Sequence, residues 1–193
     1  MKGSRPFTED EQGLIANSLS DRDRIWFYIG ITTGYRVSEI LSIKVKDVWD
    51  SELQCIRERL KVKAENLKQD RSRAVKIAPS VESVLRLWIE SLKDTDQGGP
   101  EDTLFPSRKR GYTLTRRQVN EALYSACDKS GIDKQMISSH SLRKTYADRL
   151  SKAGLSLWQL QTALDHTDIS TTIAYLGFMA DEEIDRAVDQ IWG

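Results

Sequence analysis

The chain has 193 residues, and 39% of them are hydrophobic, enough to build the core of one domain or at most two. Its 29 lysine and arginine residues balance 29 aspartate and glutamate residues, which excludes a simple polycation but not locally basic surfaces. The longest nearly unbroken apolar run, residues 25–31, is far shorter than the ~20 residues that cross a bilayer, and no apolar run typical of a secretory signal opens the sequence.

The first part of the chain is predicted to form two helices. Thr8 and Glu11 have the spacing of a capping box, and Phe7 stands just before it, so we expect a helix that runs to about Leu19. Residues 24–34 are strongly apolar and end in glycine, which predicts a buried helix that stops there.

The middle of the chain predicts a change from helix to strand. A third helix is expected over residues 35–43, with one apolar face formed by Val37, Ile40 and Leu41. Residues 48–77 have no helical period, and their short alternations predict a small antiparallel sheet edge of two or three strands around a polar turn at residues 65–70.

The remainder of the chain again predicts helices. Apolar positions at helical spacing mark residues 81–92, 140–150 and 155–164. A second capping box begins at Thr115, and Gly131 is the expected end of the helix that follows it. Residues 93–103 form a polar loop and the best candidate for a linker. Two further helices are expected near the end, one capped by Asp168 and one with an apolar face of Ile184, Val188 and Ile191. The fold class is therefore mainly α with a small antiparallel β-sheet, an α+β arrangement.

The charges are unevenly placed along the neutral chain. Residues 57–76 and 108–117 are strongly basic, whereas acidic side chains collect near both ends. Basic segments of this kind can follow a phosphate backbone, although most charge runs are only solvated faces. Cys55 and Cys127 lack the spacing of metal ligands and are expected to be reduced thiols of an intracellular protein.

Several polar residues do not fit a plain helical core. Arg36 follows the most apolar stretch, and its partner is either Glu39, three residues away, or an external anion. His140 and Arg143 share a helix face, which is either an ordinary surface or part of a site.

Two more candidate site residues lie near the end of the sequence. His166 lies in a predicted turn, and Tyr175, nine residues later, is either an ordinary half-buried tyrosine or a reactive one. A metal site built from the two histidines is weakly supported, because no third ligand has suitable spacing.

Three stretches, in order, resemble the tyrosine recombinase (phage integrase) family. They are TGYRVSEIL at residues 33–41, HSLRK at 140–144, and LDH at 164–166 followed by TIAY at 172–175. The family signature includes TGxRxxEL, HxLRH/K, and LGH followed by TxxxY or TxxY. The similarity spans roughly Phe7 to the end, and it departs from the pattern where Asp165 replaces the usual glycine and Lys144 follows the second arginine.

The resemblance implies a catalytic set and the fold of the family's catalytic domain. Tyr175 would attack a DNA phosphodiester and form a 3′-phosphotyrosyl link. A lysine on a β-hairpin would protonate the leaving oxygen; alignment on Arg73 places it at Lys68, with Lys63 as the competitor. Glu39 would orient Arg36 or His140. The residues that would bind or act on the phosphate are Arg36, Lys68, His140, Arg143, His166 and Tyr175.

The resemblance also implies double-stranded DNA as the partner. We expect a monomer in free solution, a homotetramer on DNA, no membrane association, no cofactor and no metal, in the cytoplasm and near the nucleoid. The expected DNA-binding side chains are Lys61, Lys63, Arg71, Arg73, Arg108, Lys109, Arg110, Arg116 and Arg117.

The sequence is expected to form one catalytic domain with a short segment on either side. Residues 1–6 are expected to form an extension or linker, 7–180 the catalytic domain, and 181–193 a helix that docks on a neighbouring subunit or packs in cis. Family members usually carry a preceding DNA-clamping domain, so the chain is either a short recombinase or a fragment. The alternatives are a type IB topoisomerase, a non-catalytic DNA-binding module of the same fold, and a helical scaffold without a nucleic-acid role.

Overall fold

A computed structural model describes residues 4–62, 73–109, 111–166 and 189 of the chain. Within these residues, none of the helices is both long and apolar enough to cross a membrane. The helices are α1 (Glu9–Ser18), α2 (Asp21–Thr33), α3 (Val37–Leu41), α4 (Val45–Val48), α5 (Pro79–Lys93), α6 (Arg116–Ser130), α7 (Ser139–Lys152) and α8 (Leu157–Leu164). The strands are β1 (Trp49–Asp50), β2 (Cys55–Ile56), β3 (Arg59–Val62) and β4 (Arg73–Lys76).

The two amino-terminal helices begin and end at the residues that cap them. The hydroxyl of Thr8 accepts the N–H of Glu11, and the Glu11 carboxylate accepts the N–H of Thr8, which confirms the predicted capping box. The second helix starts earlier than its apolar run, because Ser20 caps it. It stops at Gly34, which adopts the left-handed conformation (φ 64°) as predicted.

The β-region differs from the predicted single sheet edge. The strands form two separate antiparallel pairs, β1 with β2 and β3 with β4. Leu53, which falls in the segment expected to alternate as a strand, instead lies in the turn between β1 and β2 and is 74% exposed. The Asp50 carboxylate closes this turn by accepting the N–H groups of Glu52 and Leu53.

The helices around this region also differ in length from the expectation. The helix expected over residues 35–43 is only α3, and the following helix α4 was not predicted. Five and four residues are too short to show a helical period, so the sequence pattern cannot separate them.

The later helices agree with the prediction. A capping box of Thr115 and Gln118 starts α6, and Gly131 ends it with φ 67°. Helices α7 and α8 occupy the two segments expected to be helical, 140–150 and 155–164. The helix capped by Asp168 and the final amphipathic helix lie outside the described residues.

Helix α2 lies inside the molecule and packs closely against α7. Trp26 and Phe27 on α2 are fully buried. A Cβ atom added at Gly30 would lie 2.8 Å from Cδ1 of Leu142 on α7, so the two backbones approach closely because this position has no side chain. The end of α2 is thereby held beside the part of α7 that carries Arg143.

Candidate active site

The corner between α2 and α3 holds the first arginine of the predicted site. Arg36 is the N-cap residue of α3, and its Nη1 donates to Oε1 of Glu39 at 2.7 Å. The other carboxylate oxygen of Glu39 accepts the backbone N–H of Arg36, also at 2.7 Å. Glu39 is 2% exposed, whereas 27% of the Arg36 side chain is exposed. A buried carboxylate thus fixes a guanidinium that still reaches the surface.

The second arginine reaches the same corner from α7. Arg143 is 3% exposed. Its Nη1 donates to the carbonyl of Gly34 at 2.7 Å, and its Nη2 donates to the carbonyl of Leu164, the last residue of α8. Because Gly34 stands only two residues before Arg36, this bond brings the two predicted arginines together and ties the corner to the end of α8.

The two histidines approach the arginines from different elements. His140 is exposed in the first turn of α7, and His166 follows α8 and is partly buried. Burial, together with the positive charges of Arg143, Arg36 and Arg73, lowers the pKa of His166 to about 4. Although His140 is exposed, partial desolvation of its imidazole lowers its pKa, with contributions from the positive charges of Arg116, Arg143 and Arg36.

The site is therefore a concentration of positive charge around two neutral imidazoles. His140 lies one turn before Arg143 on α7, and His166 lies two residues after Leu164, whose carbonyl Arg143 binds. Both histidines are within electrostatic range of Arg36 and Arg143. Planar guanidinium groups bind phosphate oxygens with two parallel N–H bonds, and neutral imidazoles can donate or accept a proton nearby. The part of the chain that the structure describes contains no group of His, Cys, Asp or Glu that could hold a metal ion.

Two members of the predicted catalytic set lie outside the described residues, namely Lys68 and Tyr175. The same holds for three predicted DNA-binding residues, Lys63, Arg71 and Arg110. The structure thus brings together four of the predicted catalytic side chains: Arg36, His140, Arg143 and His166.

The predicted DNA-binding residues that are described mostly lie at the surface. Lys61 is exposed on β3, and Arg108 and Lys109 are exposed in the loop before α6. Arg116 and Arg117 are exposed in the first turn of α6. Arg117 donates to Glu121 at 2.7 Å, whereas Arg116 is close enough to His140 to lower its pKa.

Arg73 differs from the other predicted DNA-binding residues because its guanidinium points inward. It donates to the carbonyl of Thr33, and its central carbon lies 4.8 Å from the ring centre of Tyr35. From the sequence, Arg73 is expected to contact DNA. The alternation along β4, which puts Arg73 and Val75 on the less exposed face, is the sequence signal that could have found this position.

The family comparison matches most of the chain. The model of the phage integrase family matches residues 7–180. Among curated proteins, tyrosine recombinase XerC of Syntrophus aciditrophicus is 35% identical over 175 residues, which cover 88% of this chain and 51% of that protein. Tyrosine recombinase XerD of Rickettsia bellii is 31% identical over 146 residues, covering 74% of this chain and 47% of that protein. The chain spans about half the length of the first curated relatives it matches.

Solved structures show the same fold. XerA recombinase superposes with a TM-score of 0.80 at 22% identity, over 99% of this chain and 66% of that one. The XerH site-specific recombinase in a post-cleavage complex with its palindromic difH substrate has a TM-score of 0.74 at 25% identity, over 97% of this chain and 53% of that one. The catalytic domain of bacteriophage HP1 integrase has a TM-score of 0.62 at 18% identity, over 96% of this chain and 94% of that domain.

Proposed function

Because the chain belongs to the phage integrase family of tyrosine recombinases, we propose that it breaks and rejoins DNA strands at a specific site through a 3′-phosphotyrosyl intermediate. The observation that carries this proposal is the hydrogen bond from Arg143 to the carbonyl of Gly34, which brings the arginine of α7 to the corner that holds Arg36. Two converging guanidinium groups suit a phosphodiester whose non-bridging oxygens gain negative charge during substitution.

The reaction exchanges one phosphorus–oxygen bond for another. The phenolic oxygen of Tyr175 attacks phosphorus and loses its proton, while the bond from phosphorus to the 5′ oxygen breaks and that oxygen gains a proton. The DNA 3′ end is then joined to Tyr175, and the 5′ end is a free hydroxyl. A second 5′ hydroxyl reverses the step, so the bond energy is retained and rejoining needs no ATP.

Arg36 and Arg143 supply the positive charge that stabilises the transition state of this reaction. Arg143 is fixed by two backbone carbonyls, and Arg36 is fixed by Glu39, so both are oriented before DNA arrives. Such preorganised charges stabilise the transition state without reorganising during the step. Fixed guanidinium groups take the place that metal ions hold in other phosphoryl-transfer sites, and we therefore propose that no metal takes part.

Proton transfer falls to the remaining side chains. Since the pKa of His166 is about 4, its imidazole is neutral at neutral pH and donates an N–H hydrogen bond to a phosphate oxygen. The lowered pKa of His140 keeps it available to assist removal of the Tyr175 proton. Lys68, with Lys63 as the alternative, protonates the leaving 5′ oxygen.

Double-stranded DNA is the proposed partner, and a homotetramer on DNA the proposed active assembly. The exposed basic side chains Lys61, Arg108 and Arg116 would hold the phosphate backbone beside the site. The proposed catalytic domain covers residues 7–180, with residues 181–193 as a helix that docks on a neighbouring subunit or packs in cis.

The test uses covalent trapping on DNA of random sequence. The protein is incubated with duplexes that carry a randomised central segment and a nick, so that cleavage releases a short fragment and prevents rejoining. We expect an adduct that resists denaturing detergent, forms in the presence of a chelator and without ATP, and enriches one sequence. Recovery of DNA without any covalent adduct would contradict the proposal and favour a non-catalytic binding module.

The matched control is Tyr175→Phe, which removes one hydroxyl group and keeps the ring. We expect this variant to bind the enriched duplex with unchanged affinity and to form no adduct. Relaxation of supercoiled plasmid without any preferred sequence would contradict site-specific recombination and favour topoisomerase activity.

A further inference from the structure

Arg73 makes a set of contacts that the proposed catalytic mechanism does not use. Its guanidinium donates to the carbonyl of Thr33, the last residue of α2. Its central carbon also lies 4.8 Å from the ring centre of Tyr35 and 5.9 Å from that of Tyr146 on α7. A cation stacked on aromatic rings and bonded to a carbonyl is held in one position.

Tyr35 also contacts Arg73, through the backbone carbonyl of that residue. It is 1% exposed, and its hydroxyl shares its one proton between the carbonyl of Arg73 at 2.5 Å and that of Leu60 at 3.2 Å. Burial raises the pKa of the Tyr35 hydroxyl to about 12, so the hydroxyl keeps its proton and remains a donor throughout the working pH range. Side chain and backbone of Arg73 are therefore both tied to the segment that immediately precedes Arg36.

We propose that Arg73 is a positioning residue for strand cleavage, which holds the corner of α2 and α3 so that Arg36 meets the scissile phosphate in the correct orientation. The three residues before Arg36 are Thr33, Gly34 and Tyr35. Arg143 binds the carbonyl of Gly34, whereas Arg73 binds the carbonyl of Thr33 and stacks on the ring of Tyr35. The positive charge of Arg73 also contributes to the lowered pKa of His166, so its guanidinium lies within electrostatic range of the site. The inference rests on the proposed function, and it assigns Arg73 to the corner instead of to a DNA phosphate.

The first measurement compares Arg73→Met with the unchanged protein on the duplex enriched by trapping. We expect the single-turnover cleavage rate at saturating protein to fall by about tenfold or more, because misplacing a binding group is costly even when every catalytic group remains. In a Tyr175→Phe background, the slope of log affinity against log salt should stay the same. Loss of a direct phosphate contact would reduce that slope by about 0.9 and would overturn the proposal.

The second measurement asks whether Arg73 acts through Arg36. When Arg73→Met is added to Arg36→Lys, we expect the cleavage rate to fall by less than about threefold further. The Arg36 guanidinium is absent from this variant, so its orientation no longer affects the rate. Fully additive losses would show that Arg73 acts independently of Arg36, and the proposal would fail.

Arg86→Met is the matched control. Arg86 likewise stacks on an aromatic ring, 5.4 Å from the centre of Trp49, and donates to a backbone carbonyl, that of Gln54. It lies on α5, and we expect the cleavage rate to stay within about twofold of the unchanged protein. A loss equal to that of Arg73→Met would show a general structural effect and overturn the proposal.

Tyr35→Phe serves as the second variant if Arg73→Met does not fold. It keeps the ring under Arg73 and removes only the two hydrogen bonds to backbone carbonyls. We expect a slower cleavage rate with unchanged salt dependence; an unchanged rate would contradict the inference. If the unchanged protein forms no adduct, the proposed function fails together with this inference, whereas normal cleavage by Arg73→Met refutes the inference alone.

Discussion

At the scale of single residues, Glu39 decides where Arg36 points. Its carboxylate is buried and binds both the side chain and the backbone N–H of Arg36. Glu39→Gln keeps the shape but removes the charge and one acceptor, so we expect the free energy of unfolding to fall by about 1–3 kcal/mol. Denaturation in urea measures this loss, and the trapping assay should show slower cleavage.

Glu121→Gln is the control for this change. Glu121 pairs with Arg117 on the surface of α6, where both side chains are more than half exposed. Exposed ion pairs of this kind contribute little to stability, so we expect the free energy of unfolding to change by less than about 0.5 kcal/mol. Equal losses for Glu39→Gln and Glu121→Gln would contradict the structural role given to Glu39.

His166 gives the site a predictable response to pH. Its folded pKa of about 4 lies below the ordinary value of 6.5, so the unfolded chain binds more protons between these two values. The free energy of unfolding therefore falls as the pH is lowered from about 6.5 towards 4. In His166→Gln this contribution disappears, and urea denaturation at a series of pH values should show a flatter profile over that window.

His140→Gln is the companion variant, since the chain has 2 histidines. The pKa of His140 is also lowered, but its side chain is exposed, so we expect its removal to flatten the profile less. Superimposable profiles for the unchanged protein and His166→Gln would show that the pKa of His166 is not lowered in the folded protein.

At the scale of secondary-structure elements, the end of α8 carries a strained residue. Asp165 adopts the left-handed conformation with φ 51°, where the family resemblance has glycine. A non-glycine residue is disfavoured there, and a carboxylate at a helix carboxyl end opposes the helix dipole. We expect Asp165→Gly to raise the free energy of unfolding by about 1 kcal/mol, as measured in urea.

Ala153→Gly tests whether this gain comes from the backbone conformation. Ala153 also ends a helix, α7, but with an ordinary φ of −79°. Glycine there adds only flexibility to the unfolded chain, so we expect the free energy of unfolding to fall by about 0.5–1 kcal/mol. A gain in both variants would contradict the explanation by backbone strain.

Element boundaries could be predicted wherever a local chemical signal marks them. The capping boxes at Thr8 and Thr115 and the stops at Gly34 and Gly131 need only neighbouring residues, and all four are found. The separate pairing of the β-strands could not be predicted, because it depends on the turn that Asp50 closes and on distant packing.

At the scale of the whole molecule, the site depends on contacts between distant parts of the chain. Arg143 reaches Gly34 across 109 residues of sequence, and Arg73 reaches Thr33 across 40. The family motifs predicted that Arg36 and Arg143 belong to one site, but no local pattern predicts that backbone carbonyls anchor Arg143. The inward direction of Arg73 could not be predicted, because a basic residue in a basic segment is typical of a surface contact.

The net charge of the chain does not reveal the positive charge concentrated at the site. A chain of zero net charge concentrates cations around Arg36, Arg143 and Arg73, where two histidines are kept neutral at neutral pH. The local field, and not the net charge, therefore suits the site to an anionic phosphodiester.

Identification of the amino acid that becomes joined to DNA tests the central claim most directly. The trapped adduct is digested with nuclease and protease, and the peptide that retains nucleotide is sequenced by mass spectrometry. We predict a single modified residue, Tyr175, which carries a nucleotide through its 3′ phosphate. A nucleotide on any other side chain, or attachment through a 5′ phosphate, would contradict the account.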